Sequence, residues 1–172
     1  MENWDLYTRD RHKTGQTIER GTPIPKGLFR LVVHVCIFNH QGQMLIQQRQ
    51  TTKSGWPDLW DVTVGGHVIS GETSRMAAER ETLEELGLVI SLEDKRPAVT
   101  PTFENGFDDI YCMEMDVDIK QLVLQEEEVQ AVRWASREEI YALIDAGSFI
   151  PYHKSLVDLL FFLRNHPEIH TE

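Results

Sequence analysis

The apolar positions of the chain fall into short extended runs and three helical stretches. Residues 28–39, LFRLVVHVCIFN, are rich in Val, Ile and Phe and predict a long, largely buried strand. His34 lies inside that run and reads as a hydrogen-bonded core residue. His40-Gln41-Gly42 turns the chain, and QMLIQQR returns as a second strand. WPDLWDVTVGG predicts a loop with Trp56 and Trp60, then a short strand leading into a tight loop at Gly65 and Gly66. RPAVTPTF and FDDIYCMEMDV are strand candidates joined by Glu104-Asn105-Gly106, with Asp108 and Asp109 at the turn, because Asn-Gly is a strong hairpin signal. VQAVRW adds a strand. SREEIYALIDAG carries Ser136 and, three residues on, Glu139, the pairing of a capping box, and so predicts a helix. YHKSLVDLLFFLRNH predicts a closing amphipathic helix. In the polar lead-in, residues 1–27, WDLY and QTIER are the arms of a small hairpin packed on the domain. Trp4 and Tyr7 there either pin the segment or offer a face to a substrate base. Strands around one central helix, with further helices late, predict an α+β fold with a mixed sheet, in one domain over residues 1–172.

The central helix carries the chemistry. In residues 65–88, GGHVISGETSRMAAERETLEELGL, the carboxylates of Glu81, Glu84 and Glu85 are spaced by three and four and share one helix face. Like charges so close repel and raise one another's pKa unless a cation neutralises them. Mg²⁺ suits the need, since it takes oxygen ligands and bridges carboxylates to substrate phosphates. Ala77 and Ala78 are small enough to leave room for a metal and an anion, Met76, Leu83 and Leu86 form an apolar anchor, and Gly87 supplies the stop.

Charge narrows the partners. The net charge of −11 argues against nucleic acid as the main partner, because phosphate backbones are held by Lys and Arg. Cys36 and Cys112 lie in apolar strand-like runs and read as reduced core residues of a cytoplasmic protein. The chain shows no 18-residue apolar run and no signal pattern at MENWDLYTRD, so no membrane partner is expected.

From Gly66 the segment reads Gly, five residues, Glu72, seven residues, Arg80-Glu81, two residues, Glu84-Glu85, one residue, Gly87-Leu88. This resembles the Nudix box, the loop-helix signature of a family that mostly hydrolyses diphosphate linkages. Thr82 is the one departure, where the family usually has an aliphatic residue. The resemblance implies an α/β/α sandwich, Glu81, Glu84 and Glu85 as binders of Mg²⁺ or Mn²⁺ with one of them open as general base, and a Glu72–Arg80 pair that orients Glu81. It also suggests a further acid from outside the box, for which Glu128 is the candidate. Arg49 and Lys53 are candidate phosphate-binding cations or solvated loop charges, and Gly65 and Gly66 either admit substrate to the backbone or make a turn. The partner expected is a small-molecule diphosphate, with a homodimer left open.

Residues 28–134 are also similar to isopentenyl-diphosphate isomerases, a Nudix-fold branch, through FN before the turn, KSGWPDLW and GHV. Gly65 stands where those enzymes place a catalytic Cys, and Arg30 where they place a metal-binding His. His67 matches one of their metal-binding histidines and Asp109 roughly one of their acids, whereas Phe107 replaces another. The residues therefore favour a hydrolase over an isomerase, with a non-catalytic nucleotide-binding module as the other alternative.

Overall fold

The computed structural model describes residues 2–166 together with Glu168 and His170. Among them the elements run β1 (Asn3–Tyr7), β2 (Lys13–Glu19), β3 (Arg30–Phe38), β4 (Met44–Arg49), β5 (Trp60–Asp61), β6 (Val64–His67), α1 (Ser74–Leu86), β7 (Thr102–Phe103), β8 (Gly106–Glu114), β9 (Val129–Ala135), α2 (Arg137–Asp145) and α3 (Lys154–Leu163).

Strand β3 is the centre of a mixed sheet. One edge pairs in parallel with β8 along its whole length. The other edge is shared: Val32 to Val35 pair antiparallel with β6, and Phe38 alone reaches β4, at Met44. Beyond that point β4 pairs with β5 and β9, so β4 and β6 part company. Thr63 spans the branch, its Oγ1 accepting from the Ile37 N–H at 2.9 Å and donating to the Leu45 carbonyl at 2.5 Å.

Alternation along β3 feeds two cores. Leu31, Val33, Val35 and Ile37 pack with Val64, Ala77, Ala78 and Leu86 on the α1 side. Cys36 and Phe38 pack with Met44, Ile46, Ile140, Val157, Leu160 and Phe161 under α2 and α3. The result is the α/β/α sandwich expected from the sequence. The capping box at Ser136 and Glu139 starts α2.

Helix α1 is anchored differently from its sequence pattern. Thr73 caps its start, and Gly87 ends it at φ 64°. Met76 and Leu83 are 48% and 50% exposed, and the buried face is Ala77, Ala78, Thr82, Glu85 and Leu86. Small side chains let α1 lie close on β3 and β6, so Ala77 and Ala78 belong to the core and leave no ligand space. Thr82 is tolerated there because its hydroxyl donates to the Ala78 carbonyl at 2.7 Å.

Three local expectations also shift. Gly65 and Gly66 lie inside β6, and Asp108 and Asp109 inside β8. RPAVTPTF contracts to β7 plus one bridge, Val99 to Ile110, since Pro97 and Pro101 lack the N–H that a ladder needs. Strands β1 and β2 form a separate ribbon, tied to the sheet by reciprocal Tyr7 and Phe29 hydrogen bonds of 2.8 and 2.9 Å. Among the described residues no helix is long and apolar enough to cross a membrane.

Candidate active site

Where β4 and β6 diverge, a cavity of about 750 Å³ opens, bounded by α1, the sheet face, β1 and the 53–56 loop. Two edges of the glycine pair shape it. A Cβ on Gly65 would lie 2.6 Å from the His34 imidazole, and one on Gly66 would overlap the Glu81 carboxyl group. Both residues are thus glycine because a side chain from each face of the sheet closes on the β6 backbone.

Arg80 is the hub of the acidic side. Its Nε and Nη2 donate to the two Glu72 oxygens at 2.7 and 3.0 Å, and Nη2 also donates to the His67 carbonyl at 3.0 Å. Its Nη1 lies 2.9 Å from Glu81 and 3.0 Å from Glu84. One guanidinium therefore ties the loop before α1 to two of its acids. Arg80→Lys is expected to lower the melting temperature by the loss of about 1–3 kcal/mol and to reduce turnover, because a point charge cannot reproduce the fork. Parallel melting curves and rate measurements would check both effects.

Glu85 is different. It is 4% exposed, and its side chain accepts from Gln47 Nε2 at 2.8 Å. Burial, followed by the charges of Glu81 and Glu128, pushes its pKa up to about 8. Burial also raises Glu81, with Glu84 adding to the rise and Arg80 opposing it. Every other described acid lining the cavity has a basic partner: Glu2 with Arg20, Asp61 with Arg49, Asp108 with His34, Glu81 and Glu84 with Arg80, and Glu128 with Lys53. Glu85 alone faces the cavity as a buried carboxyl without a cation. Among the described residues no three His, Cys, Asp or Glu side chains are gathered closely enough to hold a metal ion, since Arg80 draws Glu81 and Glu84 to itself and Lys53 draws Glu128.

The outlying candidates converge on the same cavity. Glu128 is placed by two backbone bonds: its carbonyl accepts from the Gln50 N–H at 2.9 Å, and its N–H donates to the Gln125 carbonyl at 3.0 Å. Lys53 faces it across the opening. Arg49 lines the cavity too, but its guanidinium donates to the carbonyls of Gly55 and Trp56 at 2.9 to 3.2 Å and lies 3.5 Å from Asp61. That makes it a brace for the rim loop, in which Trp56 takes a φ of 51°.

A family model for the NUDIX domain matches residues 28–157. The chain belongs to the Nudix family. It is 47% identical to an uncharacterized Nudix hydrolase of Listeria monocytogenes over 99% of both chains. It is 28% identical to the isopentenyl-diphosphate delta-isomerase of Citrobacter koseri over 73% of each. A crystal structure of a Deinococcus radiodurans protein superposes with a TM-score of 0.73 at 29% identity, covering 92% of this chain and 97% of that one. This Nudix protein is therefore an enzyme, a hydrolase with the diphosphate chemistry of its family.

Two residues of the Nudix cavity escape the sequence patterns. His34 donates from Nδ1 to Asp108 at 2.8 and 2.9 Å. Burial alone would lower its pKa, but the charge and hydrogen bond of Asp108 raise it to about 9. A folded pKa above the unfolded 6.5 gives stability that is complete below pH 6.5 and fades as pH rises through 9. Asp108→Asn is therefore expected to cost on the order of 2–3 kcal/mol at pH 6 and little above pH 9, read from denaturant melts at both values. Arg30, the second, reaches the cavity between Trp4 and Phe103. Each is an odd polar letter in an apolar strand, and for Arg30 the isomerase resemblance adds that it stands where a metal-binding His would be.

Proposed function

We propose that this Nudix hydrolase cleaves a diphosphate linkage in a small nucleotide or other organic diphosphate, with Mg²⁺ or Mn²⁺ as cofactor. The observation that carries the reading is Glu85, a buried carboxyl without a cation in a cavity it shares with Glu81, Glu84 and Glu128. Carboxylate oxygens are the donors a hard divalent ion takes, and a cation would relieve the burial and repulsion that raise Glu81 and Glu85. Glu81, Glu84 and Glu85 would hold the ion, assisted by Glu128, once Arg80 releases Glu84 and Lys53 releases Glu128. Such an ion supplies an activated water and offsets charge on the phosphoryl oxygens.

The chain's own residues position the reaction. Glu72 and the His67 carbonyl fix Arg80, which orients Glu81, and Gln47 orients Glu85. One of the three helix glutamates takes the proton of the attacking water. Lys53, freed from Glu128, meets a phosphoryl oxygen, and Arg49 holds the rim loop. Gly65 and Gly66 let His34 and Glu81 seat against the β6 backbone. The functional unit is the single domain of residues 1–172, working in the cytoplasm. An isomerase is disfavoured because a side chain at position 65 would displace the His34 ring.

The test is a panel of nucleoside diphosphates and triphosphates, dinucleoside polyphosphates, nucleotide sugars and isoprenoid diphosphates, each with Mg²⁺ and Mn²⁺. Release of phosphate or a monophosphate from one class supports the reading. Isomerised product without phosphate release, or metal-dependent binding without turnover, would replace it.

A further inference from the structure

We propose that Arg30 and His67 form the receptor for the substrate's phosphoryl group that is not attacked, so that the sheet face, steadied by β1, governs which diphosphates bind. The inference rests on the diphosphate reading above. Among the described Arg and Lys residues lining the cavity, each has an acidic partner except Arg30. Acids are abundant on that wall, yet none reaches it. Arg30 Nε and His67 Nε2 are also the buried side-chain atoms left without a hydrogen-bond partner among the described residues. Leaving such atoms unpaired costs stability, and the cost is recovered when a ligand brings acceptors.

The surroundings hold both groups ready. The Arg30 guanidinium lies 5.0 Å from the Trp4 ring centre and 5.5 Å from that of Phe103, and Trp4 stacks on His67 at 4.3 Å. Trp4 is thereby covered, at 4% exposure, and is a support for the cation rather than a platform for a base. Burial, and then the charge of Arg30, lower the His67 pKa to about 4, so the ring is neutral and adds a hydrogen bond without a second charge. Register decides the geometry: His67 pairs with Val32, two residues from Arg30, which puts both on one face of the sheet. Glu81 lies against the backbone of Gly66, the residue before His67, whose missing Cβ would point to the other face. A diphosphate can therefore straddle the edge of β6, one phosphoryl group at the α1 acids and the other at Arg30 and His67.

Binding of methylenediphosphonate, which lacks a hydrolysable bridge, would be followed by calorimetry in Mg²⁺ for the wild type, Arg30→Gln and Arg30→Lys, with melting curves on each. Arg30→Gln is expected to weaken binding about tenfold or more. Arg30→Lys keeps the charge but loses Nε, and an intermediate affinity is expected. If Arg30→Gln fails to fold, Arg30→Lys decides. Wild-type affinity in the folded variants, or no binding by the wild type, would overturn the proposal. Arg30-dependent binding in a protein that releases phosphate from no diphosphate would leave it standing and overturn the hydrolase reading instead.

Discussion

Glu85→Gln is expected to reduce metal-dependent hydrolysis by about 10²–10³-fold or more while making the metal-free protein more stable at pH 8. Catalysis suffers because the cavity loses the one acid that, among the described residues, lines it without a basic partner. Stability moves the other way. The folded pKa of about 8 lies above the ordinary carboxyl value of 4.5, so the native state holds the proton more tightly than the unfolded chain. Stability linked to this group is complete below pH 4.5 and is lost as pH rises through 8. An amide at this place keeps a polar group beside Gln47 and does not ionise. The melting temperatures of variant and wild type in EDTA are therefore expected to agree near pH 4.5 and to diverge, variant higher, toward pH 8 and above. Glu79→Gln serves as the control on the same helix, since Glu79 accepts from the Leu92 N–H at 2.7 Å on the side away from the cavity and an amide oxygen can still accept. Damage to turnover equal to that of Glu85→Gln would mean that the acidic face is not the site.

Gly66→Ala is expected to lower kcat by about 100-fold or more with a smaller effect on stability. The added methyl would occupy the place of the Glu81 carboxyl group, which Arg80 holds at 2.9 Å, so Glu81 must turn away from the cavity. Gly65→Ala is the informative partner. Its methyl would press on His34 from the opposite face and leave the α1 acids in place, and the loss is expected to be smaller. Equal kcat in wild type and Gly66→Ala would remove Glu81 from the reacting group.

Why the helix acids were legible and their surroundings were not follows from the range of each interaction. Glu81, Glu84 and Glu85 are set by local helical spacing, as is the capping box at Ser136, and both can be read along the chain. The long strands β3, β4, β8 and β9 follow from apolar runs. His34 and Asp108 meet only because β3 and β8 run in parallel, 74 residues apart in sequence, so His34 reads as a core residue. Arg30 depends on Trp4 and Phe103 arriving from two other elements. The apolar letters Met76 and Leu83 mislead because helix α1 is pressed so close to the sheet that Ala and Thr fill the contact. Arg49 carries a cation's letter, but its use as a brace is set by carbonyls six and seven residues away in a folded loop.

Phosphorus NMR of the reaction run in oxygen-18 water follows the hydrolysis of the diphosphate linkage itself. With Mg²⁺ and the best diphosphate from the panel, the expected result is one heavy oxygen on one phosphoryl product, absent in EDTA and nearly absent with Glu85→Gln. Turnover that leaves the phosphorus signals of the substrate intact and unlabelled, or labelling that persists undiminished in Glu85→Gln, would contradict it.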